Sequence, residues 1–324
     1  MNSINDISDA LTSANNIAIT AHIRPDGDAI GGCLGLSRIL NDAGKSVSVI
    51  DLEPVPDRYK FMIDEGECFD SENFDFSDID CIIVLDSGSL DRSPEFITKW
   101  KSKIPLINID HHLSNTKFGS LNFVDTKASS VGEILCRIAA NTGLVINAHA
   151  AEALWVSIVT DTGRFSYSNT TPATMSAAAV LLSTGIKTAD INHEIYNAMP
   201  LRQLKLRGRA LERLTIHEDG AIAMVTLSRN DFDELGCSPA DTVDIVNLPR
   251  SLAGVAVALF LYEFPDTPET KISLRTAEPY DASEFCRKLG GGGHARAAGC
   301  ALPGTPDSVA EKILELIHKD WFSE

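Results

Sequence analysis

Apolar residues in this chain come in short runs, and what ends each run is as informative as the run itself. Asn16-Ile17-Ala18-Ile19-Thr20-Ala21 leads into His22, Cys81-Ile82-Ile83-Val84-Leu85 into Asp86, and the run 104–109 into Asp110-His111-His112. A short, nearly continuous apolar run predicts a strand buried on both faces of a parallel sheet, and open α/β sheets bind ligands at the carboxyl ends of such strands. Three strands are thus expected to deliver His and Asp to one sheet edge. A further run, 46–50, follows a helix expected over 29–43 and ended by Gly44, which completes a right-handed βαβ crossover. Ile4, Ile7 and Leu11 predict an amphipathic helix over 3–14, and a short helix is expected over 96–100. Apolar three-to-four spacing predicts helices over 129–140, 148–160, 171–184 and 188–214. Beyond them the pattern changes to strand 221–227, helix 231–235, strands 254–263 and 270–277, helix 282–289 and a closing helix 306–318. The fold class predicted is α/β: a parallel sheet with helices on both faces, a helical connector, and a second, smaller α/β domain.

Composition narrows this picture. A chain of 324 residues is long enough for two domains with their own cores, and 44% hydrophobic against 23% charged residues excludes a disordered or fibrous protein. The longest apolar run, 255–262, falls short of the roughly 20 residues that span a bilayer, so no membrane association is expected. Asp6 and Asp9 stand where an export signal carries positive charge, so the protein is expected to begin at Met1 and to be cytoplasmic. Seven scattered cysteines without a C-x-x-C pair fit reduced thiols, with Cys81 and Cys136 in the core. A net charge of −17 opposes a grip on long nucleic acid, whose affinity comes from Lys and Arg neutralising many phosphates. A polyanionic substrate should be short. The acidic stretch 53–79 is expected to be solvated surface.

Three motifs carry the chemistry. In His22-Ile23-Arg24-Pro25-Asp26-Gly27-Asp28 the Pro-Asp-Gly core is turn chemistry when taken alone. Asp26 and Asp28 are expected to converge, which requires them to precede the helix, because residues two apart diverge on a helix. Gly31, Gly32 and Gly35 match neither a dinucleotide fingerprint nor a phosphate loop and are expected to allow close helix-to-sheet packing. Asp161, at the carboxyl end of a helix that Gly163 stops, is ill matched to the helix dipole, and a nearby cation resolves the mismatch. The candidate ligands are then His22, Asp26, Asp28, Asp86, His111 and Asp161. With no thiolate among them they suit Mn²⁺ or Mg²⁺ better than structural zinc. Six donors exceed what one ion with an open position needs and match two ions sharing a bridging carboxylate, the arrangement for attack on phosphorus. His111 and His112, adjacent on extended chain, point to opposite sides and are expected to divide the labour. His149, His193, His217 and His318 are expected to lack acidic partners. In the locally basic segment 271–299, the glycines 290–293 let backbone N–H groups approach an anion, and Arg275 and His294 add charge-assisted hydrogen bonds.

As a set, His22 with Pro25-Asp26-Gly27-Asp28, Asp86, Asp110-His111-His112, Thr160-Asp161-Thr162-Gly163 and Gly291-Gly292-Gly293-His294 with Ala297-Ala298-Gly299 resemble the DHH/DHHA1 phosphoesterase family, in its two-domain nanoRNase and pAp-phosphatase type, along nearly the whole chain. The resemblance implies a DHH catalytic domain over 1–186, a helical connector over 187–213, a DHHA1 substrate-binding domain over 214–324, and an active site in the cleft. It implies two Mn²⁺ ions, with Mg²⁺ as the substitute: one held by His22, Asp26 and Asp86, the other by Asp28, Asp86, His111 and Asp161, with Asp86 bridging. It further implies a catalytic role for Asp110 and His112, the latter at the leaving oxygen, and a grip on substrate phosphate by Arg275, Gly291, Gly292, Gly293 and His294. The substrates implied are short oligoribonucleotides, cut to mononucleotides, and 3′-phosphoadenosine 5′-phosphate (pAp), converted to AMP. Cyclic or linear dinucleotides such as c-di-AMP and pApA are the alternative, and a nucleotide- or RNA-binding module without catalysis is a third reading that the complete donor set opposes. No long nucleic-acid track is implied, a homodimer is admitted, and Arg164 stands where small residues are common in the family.

Overall fold

The computed structural model describes residues 2–52, 54–264 and 267–323, with His294 described by its backbone alone. The chain divides into two units, Met1–Ala198 and Met199–Glu324.

In the first unit, helix α1 (Ile4–Ser13) starts at a capping box in which the Ser3 hydroxyl accepts from Asp6 N and the Asp6 carboxylate from Ser3 N, and it buries Ile7 and Leu11. There follow β1 (Asn16–Thr20), α2 (Gly27–Asp42), β2 (Ser46–Ile50), β3 (Cys68–Phe69), β4 (Cys81–Leu85), α3 (Phe96–Trp100), β5 (Leu106–Asp110) and β6 (Leu121–Val124), then four helices, α4 (Val131–Thr142), α5 (Ala148–Asp161), α6 (Pro172–Ser183) and α7 (Thr188–Tyr196). All strand pairings are parallel, in the order β3-β2-β1-β4-β5-β6. The chain leaves β1 toward β2 on one side and returns to β4 on the other, so the order reverses between β1 and β4, where open α/β sheets open a ligand crevice. Thr20 is paired with Val84 and Leu85 with Ile109, so the exits of β1, β4 and β5 are in line. One face of the sheet packs on α1, α2, α4 and α5, and the other on Phe76, Phe96 and Ile97.

Three expectations are corrected here. Helix α2 begins at Gly27, with Asp26 as its N-cap, so Asp28 lies inside the first turn. Gly31 and Gly35 of α2 serve helix-to-helix contact: a Cβ at Gly31 would strike Ala153 O and Ser157 N of α5, and one at Gly35 the Leu154 side chain, whereas one at Gly32 would meet Val131 of α4 and Leu85 of strand β4. The stretch 53–79 is not all solvated surface, because Glu67 binds the buried Arg38 of α2 at 2.8 and 2.9 Å through both carboxylate oxygens. The same stretch supplies the edge strand β3.

In the second unit, α8 (Leu201–Glu212), β7 (Leu214–His217), β8 (Ile222–Leu227), α9 (Arg229–Leu235), α10 (Asn247–Arg250), β9 (Val257–Glu263), β10 (Glu269–Thr276), α11 (Ala282–Lys288), β11 (Gly292–His294), β12 (Ala297–Pro303) and α12 (Pro306–Ile317) succeed one another. The sheet runs β11-β12-β10-β9-β8-β7, antiparallel except for β8 with β9. The single helix expected over 188–214 is two, α7 and α8, and Pro200 caps the second; proline suits a helix start and breaks an interior. The glycine segment expected to present backbone N–H groups to an anion is in part the β11–β12 hairpin, in which Gly292 pairs with Gly299. A Cβ at Gly291 would meet Gly299 O, and Gly293, at φ 144°, approaches Ala297 O closely, so the hairpin itself demands glycine at both. Cys81 and Cys136 are buried, and all seven cysteines are free thiols. Among the described residues no helix is long and apolar enough to cross a membrane.

Candidate metal centre

The exits of β1, β4 and β5 bring the first-unit candidates together. His22 lies two residues past β1, and its Nδ1 donates to Ile23 O at 2.9 Å. That bond fixes the tautomer and presents Nε2 to the acids, 3.5 Å from Asp86 Oδ2 and 3.8 Å from Asp26 Oδ1. Asp86 follows β4 directly with φ 51°, a left-handed conformation in which Asp is among the more tolerant residues. Its backbone N–H donates to Ile109 O across the sheet at 3.1 Å. Asp28 points its carboxylate at the start of α4, where Val131 N donates to it at 2.9 Å and the Ser157 hydroxyl of α5 adds a short bond. His111 Nε2 lies 3.3 Å from Asp86 Oδ1, 3.4 Å from Asp28 Oδ2 and 3.8 Å from Asp161 Oδ2.

The donor atoms therefore form three overlapping groups, each within 4.8 Å: His22, Asp26 and Asp86; Asp28, His111 and Asp161; and Asp86, Asp110, His111 and His112. Asp26 and Asp28 do not converge as expected. Starting the helix at Gly27 sends them to different groups, with Asp86 in reach of both. His111 and His112 do not point to opposite sides: their rings lie 4.6 Å apart, with His111 Nε2 3.3 Å and His112 Nδ1 3.4 Å from the same Asp86 oxygen, and His112 Nδ1 also donates to Asp110 Oδ1 at 2.8 Å.

The charges explain what such a cluster needs. Burial pushes the Asp28 carboxyl well up, and the charge of Asp86 adds to this. Burial likewise carries Asp161 up to about 7, with His111 opposing and Asp86 adding. Burial would raise Asp86 too, but bonds from His111 and His22 hold it below the usual carboxylate range. Burial pulls His22 down, yet Asp26 and Asp86 raise it to about 10; His111 is raised to about 11 against burial, chiefly by Asp86 and Asp28. The Asp86 Oδ1 oxygen is fully buried and accepts no well-formed hydrogen bond, with only the imidazole nitrogens of His111 and His112 facing it, at 3.3 and 3.4 Å. Buried polar atoms are almost always partnered, so this oxygen fits a cation, and the oxygen and imidazole donors fit a hard divalent one. His22, Asp26 and Asp86 are one set able to hold such an ion, and Asp28, His111 and Asp161 another.

In the second unit, Arg275 lies on β10, half-buried, and donates to Leu274 O at 3.0 Å. Gly291, Gly292 and Gly293 lie in and beside the β11 edge. The side chain of His294 is outside what the structure describes. Arg164, at φ 61°, lies over the Tyr196 ring at 3.9 Å, a cation–π contact within the first unit. Two of the set-aside histidines do have acidic partners: His149 Nε2 is 3.1 Å from Asp64, and His318 Nδ1 is 2.9 Å from Glu218. Sequence reasoning assigned no role to Ser157, Asn108 or Asn115. The last two bound the very stretch that carries the Asp-His-His motif, and a buried Asn inside an apolar strand was the available signal.

With this geometry in view, the relationship to known proteins can be stated. The DHH family, N-terminal domain, matches residues 16–160, and the DHHA1 domain matches residues 220–323. The chain is 31% identical over 306 residues to the bifunctional oligoribonuclease and PAP phosphatase NrnA of Thermus thermophilus, covering 94% of this chain and 90% of that protein. It is 26% identical to the cyclic-di-AMP phosphodiesterase PdeA of Listeria monocytogenes over 98% of this chain and 50% of that one. A crystal structure of an exopolyphosphatase-related protein from Bacteroides fragilis superposes with a TM-score of 0.90 at 28% identity, covering 98% of this chain and 95% of that one. The chain belongs to the DHH family.

Proposed function

We propose that this chain is a Mn²⁺-dependent phosphoesterase that cuts very short oligoribonucleotides to mononucleotides and removes the 3′ phosphate of pAp. The observation that carries the reading is the buried oxygen of Asp86, faced only by imidazole nitrogens and without a well-formed hydrogen bond, at the junction of two three-donor groups, in a chain 31% identical over nearly its whole length to a bifunctional oligoribonuclease and PAP phosphatase. His22, Asp26, Asp28, Asp86, His111 and Asp161 would hold divalent ions, which when bound would supply charge stabilisation at phosphorus and an activated water. The rest falls to the chain. Asp110 fixes the His112 ring through Nδ1, which leaves Nε2 to hold a proton for the departing ribose oxygen. Arg275, the backbone N–H groups of Gly291, Gly292 and Gly293, and His294 hold a terminal phosphate of the substrate.

The test is a product time course on di-, penta- and 20-residue RNAs, pAp and c-di-AMP, with and without chelator. Fast release of mononucleotides from the shorter RNAs and of AMP from pAp, lost on chelation and restored best by Mn²⁺, is expected. Full turnover after exhaustive chelation would sink the metal reading. Preferential opening of c-di-AMP would move the substrate to cyclic dinucleotides, the class named for the Listeria relative. Arg275→Ala is expected to weaken binding of a 5′-phosphorylated dinucleotide by roughly tenfold or more, as loss of a charge-assisted bond implies, and to leave metal content unchanged. Equal losses with and without the 5′ phosphate would make Arg275 structural.

A further inference from the structure

We propose that Asn115 is a positioning residue for the reaction, acting on His112 through Asp110; the inference rests on the phosphoesterase reading above. Asn115 Nδ2 donates to Asp110 Oδ2 at 2.6 Å, and the other oxygen of that carboxylate, Oδ1, accepts from His112 Nδ1 and from His111 N, each at 2.8 Å. A carboxylate with one oxygen on each side of this relay cannot rotate without breaking a bond on one side. Asn115 is itself fixed: Nδ2 also lies 2.8 Å from Asn108 Oδ1 and 3.1 Å from Ser87 O, and its Oδ1 accepts from Lys117 N at 2.6 Å.

Asn108 shows that this clamp is not a by-product of folding. It sits in the middle of β5, wholly buried, where the pattern calls for an apolar residue. A buried amide is costly unless bonded, and this one donates to Val84 O at 3.3 Å and Ser87 O at 3.2 Å and accepts from Asn115. The relay Asn108, Asn115, Asp110, His112 thus runs from the sheet interior to the imidazole without a gap. Asp110 is fully buried, so its ionised form depends on these donors, and removing Asn115 frees it to turn away from His112. The ring then loses its fixed orientation, and of the six candidate metal ligands only His111, whose backbone N–H donates to the same oxygen, is tied to that movement.

The experiment compares wild type, Asn115→Ala, His112→Ala and the double variant on a diribonucleotide, whose leaving ribose oxygen needs a proton, and on bis-p-nitrophenyl phosphate, whose phenolate leaves without one. Asn115→Ala is expected to lower kcat on the diribonucleotide on the order of 10- to 100-fold, the usual effect of losing an orienting partner. KM and the aryl-ester rate should change less than about threefold, as for an interaction made only in the transition state. In the His112→Ala background the second change should add little, because both act through one ring. Equal losses on both substrates, or losses that multiply in the double variant, overturn the proposal. An activity-independent readout is the downfield proton signal of the His112 Nδ1–H in metal-free protein, assigned by its loss in His112→Ala. It should broaden or vanish in Asn115→Ala and persist in Asn115→Ser, which keeps a donor. An unchanged signal refutes the relay even if wild type were to cut neither substrate, so failure of the phosphoesterase reading is told apart from failure of this one. Should Asn115→Ala fold poorly, Asn115→Ser carries the same comparison, with intermediate kcat on the diribonucleotide expected and wild-type kcat against the proposal.

Discussion

Buried carboxylates occur in both units, and they are surrounded in opposite ways. In the second unit Asp231 accepts from Ser228 N, the Ser228 hydroxyl, Arg209 and Arg213, while Asp241 accepts from Ser238 N, the Ser238 hydroxyl, Arg202 and Gln203. Both fall below the usual carboxylate range, because these donors outweigh burial. In the first unit Asp28 and Asp161 are pushed up, and Asp86 keeps a buried oxygen that only the His111 and His112 imidazoles face, without a well-formed hydrogen bond. A carboxylate saturated by donors holds its neighbours in place, as Asp110 also does in the first unit, whereas carboxylates crowded against one another store an electrostatic cost that a cation relieves. Counting acids along the chain would rank the two units alike; their partners separate them.

The largest effect expected from breaking this contrast is at Asp86. Asp86→Ala removes the carboxylate in reach of both three-donor groups, and turnover should fall by more than the roughly 10- to 100-fold that an orienting partner costs. Initial rates with metal analysis of the purified variant check this, and near-wild-type turnover would place the centre elsewhere.

Next in size is the pH response of metal-free protein. His22, His111 and Asp161 all have folded pKa values above their ordinary ones, at about 10, 11 and 7. Groups shifted upward bind protons more tightly when folded, so their stabilisation is complete below the unfolded value and drains away as pH rises through the folded one. For the two histidines that window opens near pH 6.5. Chelated protein should therefore melt at progressively lower temperature from pH 6.5 to 9, and saturating Mn²⁺ should flatten the trend, because ligand imidazoles must be neutral to bind. A melting temperature that rises with pH in chelated protein would contradict the assignment.

Much of this centre could be foreseen from sequence, for a physical reason. β1, β4 and β5 are buried along nearly their whole length, so each is a continuous apolar run whose end is visible as the first polar residue, and in a parallel sheet those ends share one edge. The edge strands β3, β6 and β7 went unseen because they are two to four residues long and half exposed, held by neighbours and not by any pattern of their own. β11 hid for a different cause: its glycines read locally as an anion-binding segment, while pairing with β12 and the close approach of Gly299 make them a strand. The divergence of Asp26 and Asp28 turned on where a helix starts, and helix ends are the least determinate feature of a sequence.

On the other side of the comparison, Asp231→Ala should cost the second unit about 2 kcal/mol, from a lost helix cap and charge-assisted bonds to arginines that stay partly solvated. A unit of this size then melts lower by about 8 °C. Metal content should not move. Thermal melts beside metal analysis check this, and loss of metal in Asp231→Ala would blur the distinction between the two kinds of carboxylate.

The smallest effect concerns salt. The one strongly basic stretch outside the glycine segment, along α8, is a natural candidate for a nucleic-acid track, yet its arginines are already engaged. Arg202 lies 3.0 Å from Asp241, Arg209 2.5 Å and Arg213 2.9 Å from Asp231, and Arg207 donates to Val243 O at 3.3 Å. Arginines committed to carboxylates have little charge to offer phosphates, and the whole chain stands at −17. Binding should then neutralise only two or three phosphates, and at a slope of roughly −0.7 per phosphate on single strands, affinity for a trinucleotide should fall only about 7- to 20-fold between 50 and 200 mM salt. The same footprint predicts that turnover declines as RNA lengthens beyond a few residues, since added phosphates meet an acidic surface instead of new partners. Titrations of a trinucleotide and a 20-residue RNA at several salt concentrations decide the matter. A steep slope on the longer strand together with faster degradation of it would mean that the α8 arginines exchange their carboxylates for phosphates, and would erase the contrast between a saturated second unit and a reactive first one.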